Sequence, residues 1–272
     1  MNYTYYLNPY SHQDIHQHIT NREFNFYSNI RELLPLELWP LYLFIFVFYY
    51  PAMKFGQKIM SSREPFSLKI PLFLWNMFVS VTSGLCAFTV GKLLFHRLLY
   101  NTNHNELICD HEFLYTKKES WYIIMFVISK YFELIDTIFL VLRKKKIVFL
   151  HWFHHLSTAI YATYALYYNY MSDMSQLWFV FMNTFVHTFM YFYYGMTAIG
   201  IYFNMNYLIT LIQIIQMIIG FSVAISTLWC KDISMSYPCL IVSLLQFYYI
   251  VSFSKVFFVK YNEKKSKQIK SD

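Results

Sequence analysis

The stretch KYFELIDTIFLVLRKKKIVFLHWFHH, residues 130–155, combines three features that decide how the chain folds. An apolar segment carries charges at Lys130, Glu133 and Asp136, a basic linker occupies residues 143–146, and a second apolar segment opens with clustered histidines. Charged groups inside an apolar helix are costly in a membrane, and basic residues gather at the cytosolic ends of membrane spans. The stretch therefore predicts two membrane-spanning helices that are joined in the cytosol and carry a polar site.

The composition of the whole chain agrees with a membrane protein. Of the 272 residues, 57% are hydrophobic, 22% are aromatic and only 14% are charged. Ordinary soluble domains have about 45–50% apolar and about 25% charged residues. A soluble globule, a disordered chain and a disulfide scaffold are therefore excluded. The net charge of +7 comes from clusters between apolar stretches, which indicates membrane orientation and argues against nucleic-acid binding.

Apolar runs long enough to cross a bilayer as helices predict one all-α integral membrane domain over residues 35–260. No repeat of fixed period and no separate soluble domain interrupts it. Residues 1–34 are predicted to be a lumenal N-terminal segment, and residues 261–272 a cytosolic basic tail. The seven predicted transmembrane helices are 36–55, 70–95, 120–142, 147–168, 175–198, 203–229 and 235–258.

The basic clusters also orient the predicted spans. They follow spans one, three and seven, so these segments lie in the cytosol, with the N-terminus lumenal and the C-terminus cytosolic. The same topology places Cys109 and Cys230 in the lumen, where either a disulfide or two unpaired thiols is compatible with the sequence. Cys86 and Cys239 lie inside spans and are predicted to be packing residues.

Four of the predicted spans carry polar residues at helical spacing. Such stripes can converge in the cytosolic half of the bilayer and leave the lumenal half apolar, which describes a chemical site beside an apolar pocket. The charged stripe could equally be an ion network that tightens helix packing. His187 alone could be a satisfied buried histidine, and the glutamines could serve as interhelical hydrogen-bond donors. The stripes consist of Lys130, Glu133 and Asp136; His151, His154 and His155; Asn183, His187 and Tyr191; and Gln213 and Gln216.

The three histidines of the second apolar segment suit either metal or acyl chemistry. A membrane di-iron oxygenase needs about eight ligands, whereas His187 is the only other histidine inside a predicted span. A single zinc would need three ligands and a water. Acyl transfer needs less, because a neutral imidazole attacks a thioester and a dry pocket protects an acyl-imidazole from water. We therefore expect no metal and no cofactor.

These motifs resemble the ELO family of very-long-chain fatty acid elongases over roughly residues 35–260. They occur in the family's order and spacing: Lys130-x-x-Glu133-x-x-Asp136-Thr137, His151-x-x-His154-His155, Asn183-x-x-x-His187-x-x-Met190-Tyr191, and Thr210-x-x-Gln213-x-x-Gln216. The resemblance implies a 3-ketoacyl-CoA synthase of the endoplasmic reticulum membrane that joins acyl-CoA and malonyl-CoA. It also implies that six of the seven helices surround an acyl-chain tunnel.

The resemblance assigns roles to individual residues. His154 would form an acyl-enzyme, His187 would take part in malonyl decarboxylation and condensation, and His151 and His155 would orient the nucleophile. A disulfide would link Cys109 to Cys230. The other stripe residues, Lys130, Glu133, Asp136, Asn183, Tyr191, Gln213 and Gln216, would bind substrate or support the site, and Arg143, Lys144, Lys145 and Lys146 are candidates for the CoA phosphates.

The expected partners are acyl-CoA, malonyl-CoA and membrane lipid. A homodimer and complexes with the other enzymes of the elongation cycle are compatible with this interpretation. Three alternatives remain at the level of sequence: a membrane di-iron desaturase or hydroxylase, a non-catalytic seven-helix receptor or transporter, and a degenerate elongase that acts as a scaffold. A receptor has no need of three clustered histidines beneath a basic linker.

Overall fold

The computed structural model describes residues 39–100, 103, 107–109, 117–167, 174–230 and 236–269. The predicted N-terminal segment 1–34 lies outside these residues. Within them the fold is all-α, without a β-strand. The helices are α1 (Trp39–Ser61), α2 (Lys69–Tyr100), α3 (Lys117–Phe132), α4 (Ile135–Leu142), α5 (Phe149–Tyr167), α6 (Met174–Ala198), α7 (Asn206–Thr227) and α8 (Ser236–Ile269).

Each predicted span corresponds to a helix or to a pair of helices. Three stretches are long and apolar enough to cross a bilayer by length and composition, namely Lys69–Leu99, Asn206–Thr227 and Cys239–Val259. Other helices differ from these three stretches. Helices α3 and α4, which together form span three, are short, with 16 and 8 residues, and α5 and α6 carry polar stripes. The last helix continues to Ile269, so it runs into the predicted basic tail.

Span three is interrupted where a continuous helix was predicted. Around the break, the amide nitrogens of Leu134, Asp136 and Thr137 each donate to the carbonyl three residues earlier, at 3.2, 3.2 and 3.3 Å. This is the tighter 3₁₀ pattern, which often marks a functional position inside a helix. Because side chains at i and i+3 are eclipsed in a 3₁₀ turn, the break keeps Asp136 close to the face of Glu133.

The helices other than α1 follow one another in a ring. Helix α2 packs on α6, α6 on α7 and α7 on α8, while α3 packs on both α2 and α5. The ring closes between α5 and α8, where the hydroxyls of Ser157 and Tyr249 form a hydrogen bond. Helix α1 packs against α4 and α5. This order brings the polar stripes of α3 to α7 toward a common interior.

Helices α2 and α6 form the most extensive contact, and glycines make it close. A Cβ at Gly91 would lie 2.6 Å from the ring of Phe181, and one at Gly195 would lie 2.4 Å from the methyl of Met77. Small residues allow the backbones of membrane helices to approach in this way. The contact fixes α6, and with it Asn183 and His187, relative to α2.

Apolar side chains form the inside at one end of the bundle and cover its outside. The core packs α2, α3, α5 and α6 together around residues such as Val127, Ala165 and Leu177, all 0% exposed. Outward-facing residues include Phe88 and Leu99, at 74% and 76% exposed. Cys86 and Cys239 are both buried, as predicted. The outer surface suits lipid contact.

The structure joins Cys109 to Cys230 by a disulfide, with the Cα atoms 5.5 Å apart. Cys109 follows α2 and Cys230 follows α7. Both cysteines therefore lie at the end of the bundle opposite the basic segments at Lys69 and at residues 143–146. The bond connects two loops that are 121 residues apart in sequence.

Candidate active site

The Glu133 carboxylate is the centre of a buried polar network. One of its oxygens, Oε1, lies 2.5 Å from Lys130 Nζ and 3.2 Å from His187 Nδ1. The other, Oε2, lies 3.4 Å from His155 Nδ1. Glu133 and Lys130 are 1% and 2% exposed. A single carboxylate at the break in span three thus faces an ammonium and two imidazoles from two other helices.

Asn183 extends this network on α6. Its Oδ1 accepts a hydrogen bond from Lys130 Nζ at 2.6 Å, which orients the amide, and its Nδ2 lies 3.3 Å from His187 Nε2. An amide nitrogen donates, so His187 Nε2 is the acceptor and the ring proton belongs on Nδ1, which faces Glu133. The network therefore selects a neutral histidine tautomer through contacts on both ring nitrogens.

Asp136 has different partners from Glu133. Trp75 Nε1 of α2 donates to its Oδ1 at 2.7 Å, and the Tyr191 hydroxyl of α6 donates to its Oδ2 at 2.5 Å. Both carboxylate oxygens are satisfied by side chains from neighbouring helices. Asp136 thereby ties α4 to α2 and α6 next to the histidines.

The three histidines on α5 point to different neighbours. His151 Nε2 lies 3.1 Å from Thr137 Oγ1, which is also hydrogen-bonded to the Tyr49 hydroxyl at 2.6 Å. The rings of His151 and His155 are 4.6 Å apart, and both lie against the α3–α4 side of the site. The cluster is therefore divided between two His residues held by span three and His154, which faces another way.

His154 faces α8 instead of span three. Its ring lies edge-on to Tyr249, with centroids 4.9 Å apart, and 6.4 Å from the ring of Phe253. Its buried Nδ1 has no hydrogen-bond partner among the described residues. The buried Nδ1 atoms of His155 and His187 likewise form no hydrogen bond there. What distinguishes His154 is its packing against the aromatic rings of α8 at the border of both cavities, a place that suits an imidazole nucleophile.

Two cavities meet at His154. The larger has a volume of about 450 Å³ and is lined by the four predicted site histidines together with Asp136, Arg143, Tyr191 and Gln213. The smaller, of about 80 Å³, continues between α3, α5, α6, α7 and α8 and is lined by polar side chains, among them Lys130 and Gln246, as well as by apolar ones. Both cavities share the lining residues His154, Asn183, Gln216 and Met217.

The two glutamines predicted on α7 both border the larger cavity. Gln213 Nε2 lies 3.2 Å from Met190 Sδ, a weak acceptor, and Gln216 is 9% exposed. Because thioether sulfur is a poor hydrogen-bond partner, the Gln213 amide remains available to a better acceptor. Gln216 lines both cavities, as His154 does.

The four basic linker residues differ in their surroundings. Arg143 borders the larger cavity. Lys144 has a left-handed backbone with φ of 51°, and its ammonium donates to the carbonyls of Ser61 and Arg63 at 3.1 and 3.0 Å. Lys145 and Lys146 are exposed. Lys144 thus fastens the linker to the segment after α1, and the other three cations remain accessible near the cavity.

Comparison with known families identifies the chain's relatives. The sequence profile of the ELO family, described as the GNS1/SUR4 family, matches residues 34–269. The chain belongs to the ELO family. The match covers every helix described above, so the break in span three, the histidine cluster and both cavities lie within the ELO region.

Individual relatives are named as fatty acid elongases. The chain is 36% identical to very long chain fatty acid elongase 6 of Mus musculus over 65% of this chain and 66% of the relative. It is 35% identical to very long chain fatty acid elongase 4 of Trypanosoma cruzi over 66% and 63% of the two chains. Long chain fatty acid elongase 2 of Caenorhabditis elegans is 35% identical over 84% and 85%. The chain thus spans about two thirds or less of the first two relatives' length.

Most of the predicted ELO site residues lie together around the two cavities. Lys130 and Glu133 lie behind the histidines, where they support His155 and His187. The exceptions are Glu133, the lysines of the linker and the two cysteines, which line neither cavity. No cluster of three His, Cys, Asp or Glu side chains with metal-binding geometry occurs in the part of the chain that the structure describes.

Sequence reasoning missed the aromatic partners of the site. Trp75 holds Asp136, Tyr49 holds Thr137, and Tyr249 packs on His154. The chain contains 26 Tyr, 28 Phe and 6 Trp, so an aromatic residue in a span carries little information. The sequence does contain a signal for Trp75. A buried indole N–H needs an acceptor, and Asp136 offers a carboxylate acceptor within an apolar span.

Proposed function

We propose that this protein is the condensing enzyme of fatty acid elongation, a 3-ketoacyl-CoA synthase that joins long-chain acyl-CoA to malonyl-CoA. The observation that carries the proposal is the position of His154, which borders both the larger cavity, where Arg143 lies, and the smaller cavity deeper in the bundle. A thioester carbonyl at this junction would have its polar CoA on one side and its acyl chain on the other. Membership of the ELO family and the names of the relatives support the same reaction.

The first half-reaction transfers the acyl group to His154. The imidazole lone pair attacks the thioester carbonyl carbon, the carbon–sulfur bond breaks, and the CoA thiolate leaves with the proton of the imidazole. The product is a neutral acyl-imidazole and free CoA. His155 lies beside the nucleophile, with ring centroids 5.7 Å apart, and its Nδ1 lies 3.4 Å from the Glu133 carboxylate. Exclusion of water from the buried junction protects the acyl-enzyme.

The second half-reaction forms the carbon–carbon bond. Malonyl-CoA loses CO2, its carbon–carbon bond electrons form a thioester enolate, and the enolate carbon attacks the acyl-imidazole carbonyl. The bond to His154 then breaks, and the imidazole recovers a proton from solvent. Preorganised donors favour the enolate oxygen. The amides of Gln213 and Gln216 border the cavity and would supply them, whereas His187 Nδ1 faces Glu133 at 3.2 Å.

The ring of helices gives the proposed enzyme its architecture. Seven spans would cross the membrane, with α3 and α4 forming one of them, and the six spans that form the ring would surround an acyl-chain tunnel. The smaller cavity supplies the part of that tunnel nearest to His154. Arg143, together with exposed Lys145 and Lys146, would bind the CoA phosphates at the cytosolic mouth.

The disulfide supports the proposed orientation and compartment. Disulfides persist in oxidising compartments such as the lumen of the endoplasmic reticulum, and Cys109–Cys230 lies at the end of the bundle opposite the basic segments. We therefore place the protein in the endoplasmic reticulum membrane with a lumenal N-terminus and a cytosolic C-terminus. CoA substrates would then enter from the cytosol, where the basic residues lie.

Purified protein in detergent tests the reaction directly. Incubation with palmitoyl-CoA and malonyl-CoA should release CoA and CO2 in equal amounts and form a 3-ketoacyl-CoA. With palmitoyl-CoA alone, intact-mass spectrometry should show one added acyl group. His154→Ala should remove this adduct and lower the condensation rate by more than about 10³-fold. Stoichiometric iron in active protein would contradict the acyl-enzyme proposal.

The matched control is His96→Ala, which removes an exposed histidine near the far end of α2. This variant should retain both the acyl adduct and the condensation rate. If His154→Ala folds, as judged by a monodisperse size-exclusion profile, and still condenses at the unmodified rate, the proposed nucleophile is wrong. If the unmodified protein does not release CO2 from malonyl-CoA with any acyl-CoA, the proposed function itself is wrong.

A further inference from the structure

Helix α1 lies outside the ring of helices but reaches the site through one hydroxyl group. The Tyr49 hydroxyl of α1 and Thr137 Oγ1 of α4 form a hydrogen bond of 2.6 Å, and the same threonine oxygen lies 3.1 Å from His151 Nε2. Thr137 is 3% exposed, and His151 lines the larger cavity. Three side chains therefore form a hydrogen-bonded chain that ends at a site histidine, although Tyr49 itself lines neither cavity.

Side-chain packing holds α1 against the two helices that carry this chain. Met53 of α1 and Val141 of α4 belong to one buried apolar cluster. The ring of Tyr50 on α1 lies 4.7 Å from the ring of Trp152 on α5. Because α1 is held against both α4 and α5, the Tyr49 hydroxyl has a defined position relative to both, and little conformational entropy remains to be lost when it orients a side chain there.

The protons of the two hydroxyl groups fix the direction of the chain. Each hydroxyl has one proton to donate, and the Tyr49 hydroxyl has no hydrogen-bond partner other than Thr137 in the part of the chain that the structure describes. Only one arrangement there gives both protons an acceptor: Tyr49 donates to Thr137 Oγ1, and Thr137 donates to His151 Nε2. An imidazole nitrogen that accepts carries no proton, so His151 is neutral with its proton on Nδ1.

The tautomer of His151 affects what the site offers to a substrate. With the proton on Nδ1, the ring has a donor on that nitrogen, and it packs 4.6 Å from His155, which lies beside His154. In the other tautomer Nδ1 would have a lone pair instead. The hydroxyl chain would then have to reverse, and the Tyr49 proton would have no acceptor among the described residues. The Tyr49 hydroxyl thus favours one tautomer and one ring orientation.

We propose that Tyr49 is a positioning residue of the condensing reaction, which acts through Thr137 to hold His151 in its Nδ1–H tautomer. The inference rests on the proposed condensing function and adds a residue from α1, the helix outside the ring, to the residues on which that reaction depends. Because Tyr49 does not line either cavity, it acts on the rate of the reaction and not on substrate binding.

Steady-state condensation rates with palmitoyl-CoA and malonyl-CoA test this role. Tyr49→Phe removes one hydroxyl and keeps the ring. It should lower kcat by about 3–10-fold, as expected for the loss of one neutral hydrogen bond, with KM unchanged for both substrates. Rates are divided by the amount of protein that forms the acyl adduct, so misfolded protein does not affect them. The matched control Tyr50→Phe keeps the ring that packs on Trp152 and should have the unmodified kcat.

A double-variant cycle tests whether Tyr49 acts through Thr137. Thr137→Val removes the hydroxyl and keeps the side-chain shape, whereas Thr137→Ser keeps the hydroxyl and should retain most of the activity. Adding Tyr49→Phe to Thr137→Val should lower kcat by less than about twofold, because the contact is already lost. If the two effects instead multiply, Tyr49 acts independently of Thr137 and the proposal is wrong. Thr137→Ala replaces Thr137→Val in the cycle if the latter does not fold.

The tautomer of His151 can be measured without any substrate. In protein labelled with ¹⁵N-histidine, the His151 signals are those that disappear in His151→Gln. The unmodified protein and Tyr50→Phe should show a single tautomer with the proton on Nδ1, and Tyr49→Phe should shift these signals toward a mixture of tautomers. Unchanged His151 signals or an unchanged kcat in Tyr49→Phe would overturn the positioning role and leave the condensing function intact. Lack of condensation by the unmodified protein would remove the proposed function, while the ¹⁵N signals would still decide whether Tyr49 controls the tautomer.

Discussion

Glu133 offers the sharpest test of how the buried network is held together. Its carboxylate contacts Lys130 at 2.5 Å and approaches His187 and His155 at 3.2 and 3.4 Å. Glu133→Gln keeps the side-chain shape and removes the negative charge. The Lys130 ammonium, 2% exposed, then loses its counter-ion. Breaking one side of a buried ion pair costs about 3–5 kcal/mol.

This free energy corresponds to a measurable change in melting temperature. In a protein of comparable size, 1 kcal/mol shifts Tm by about 2–4 °C. Glu133→Gln should therefore lower Tm by roughly 6–20 °C in a thermal unfolding assay in detergent. Glu64→Gln, which changes an exposed carboxylate in the segment after α1, is the matched control and should change stability by less than about 0.5 kcal/mol.

A double variant separates charge from position. Lys130→Met with Glu133→Gln removes both charges, and replacing a buried pair together is often close to neutral. The double variant should thus recover most of the lost Tm. It should not recover condensation, because His155 and His187 no longer face a carboxylate. The reasoning is refuted if Glu133→Gln has the same Tm as the unmodified protein, or if the Tm of the double variant is no higher than that of Glu133→Gln.

Three further perturbations follow from contacts in the bundle. Asp136→Asn leaves one of two buried donors without an acceptor and should destabilise the protein by about 1–3 kcal/mol; an unchanged Tm would show that these donors find other partners. Gly91→Ala places a Cβ 2.6 Å from the Phe181 ring and should cost about 1–3 kcal/mol by overpacking, read from the same melting curves. Cys109→Ser should cost about 2–5 kcal/mol, and a reductant should lower the Tm of the unmodified protein but not that of this variant.

The helices could be predicted from sequence because lipid imposes a simple requirement of length and apolarity. Each predicted stretch contains a helix, and the stripes at Lys130, His154, Asn183 and Gln216 do meet around the smaller cavity. Helical spacing fixes which side chains share a face. Polar groups inside a membrane are costly, so they face the interior of the bundle and not the lipid. The convergence of the stripes could therefore be predicted from the sequence.

Other features of the site depend on details that spacing does not contain. The turn at Glu133 and Leu134 tightens to three residues, although the amino-acid sequence of this segment is equally compatible with a continuous α-helix. The separation of His154 from His151 and His155 depends on ring rotamers and on Tyr249, one of many tyrosines. Hydrogen-bond partners between helices require the packing order of the ring, and the sequence shows only the order along the chain.

The disulfide described at the ends of α2 and α7 makes part of the chain a closed covalent loop. The loop runs from Cys109 to Cys230 and contains all four histidines of the site. Residues 199–205, between α6 and α7, are exposed and lie inside this loop. A single cut there would convert the loop into an open chain without releasing a fragment. The two pieces of the chain would remain one molecule, joined by the disulfide at the other end of the bundle.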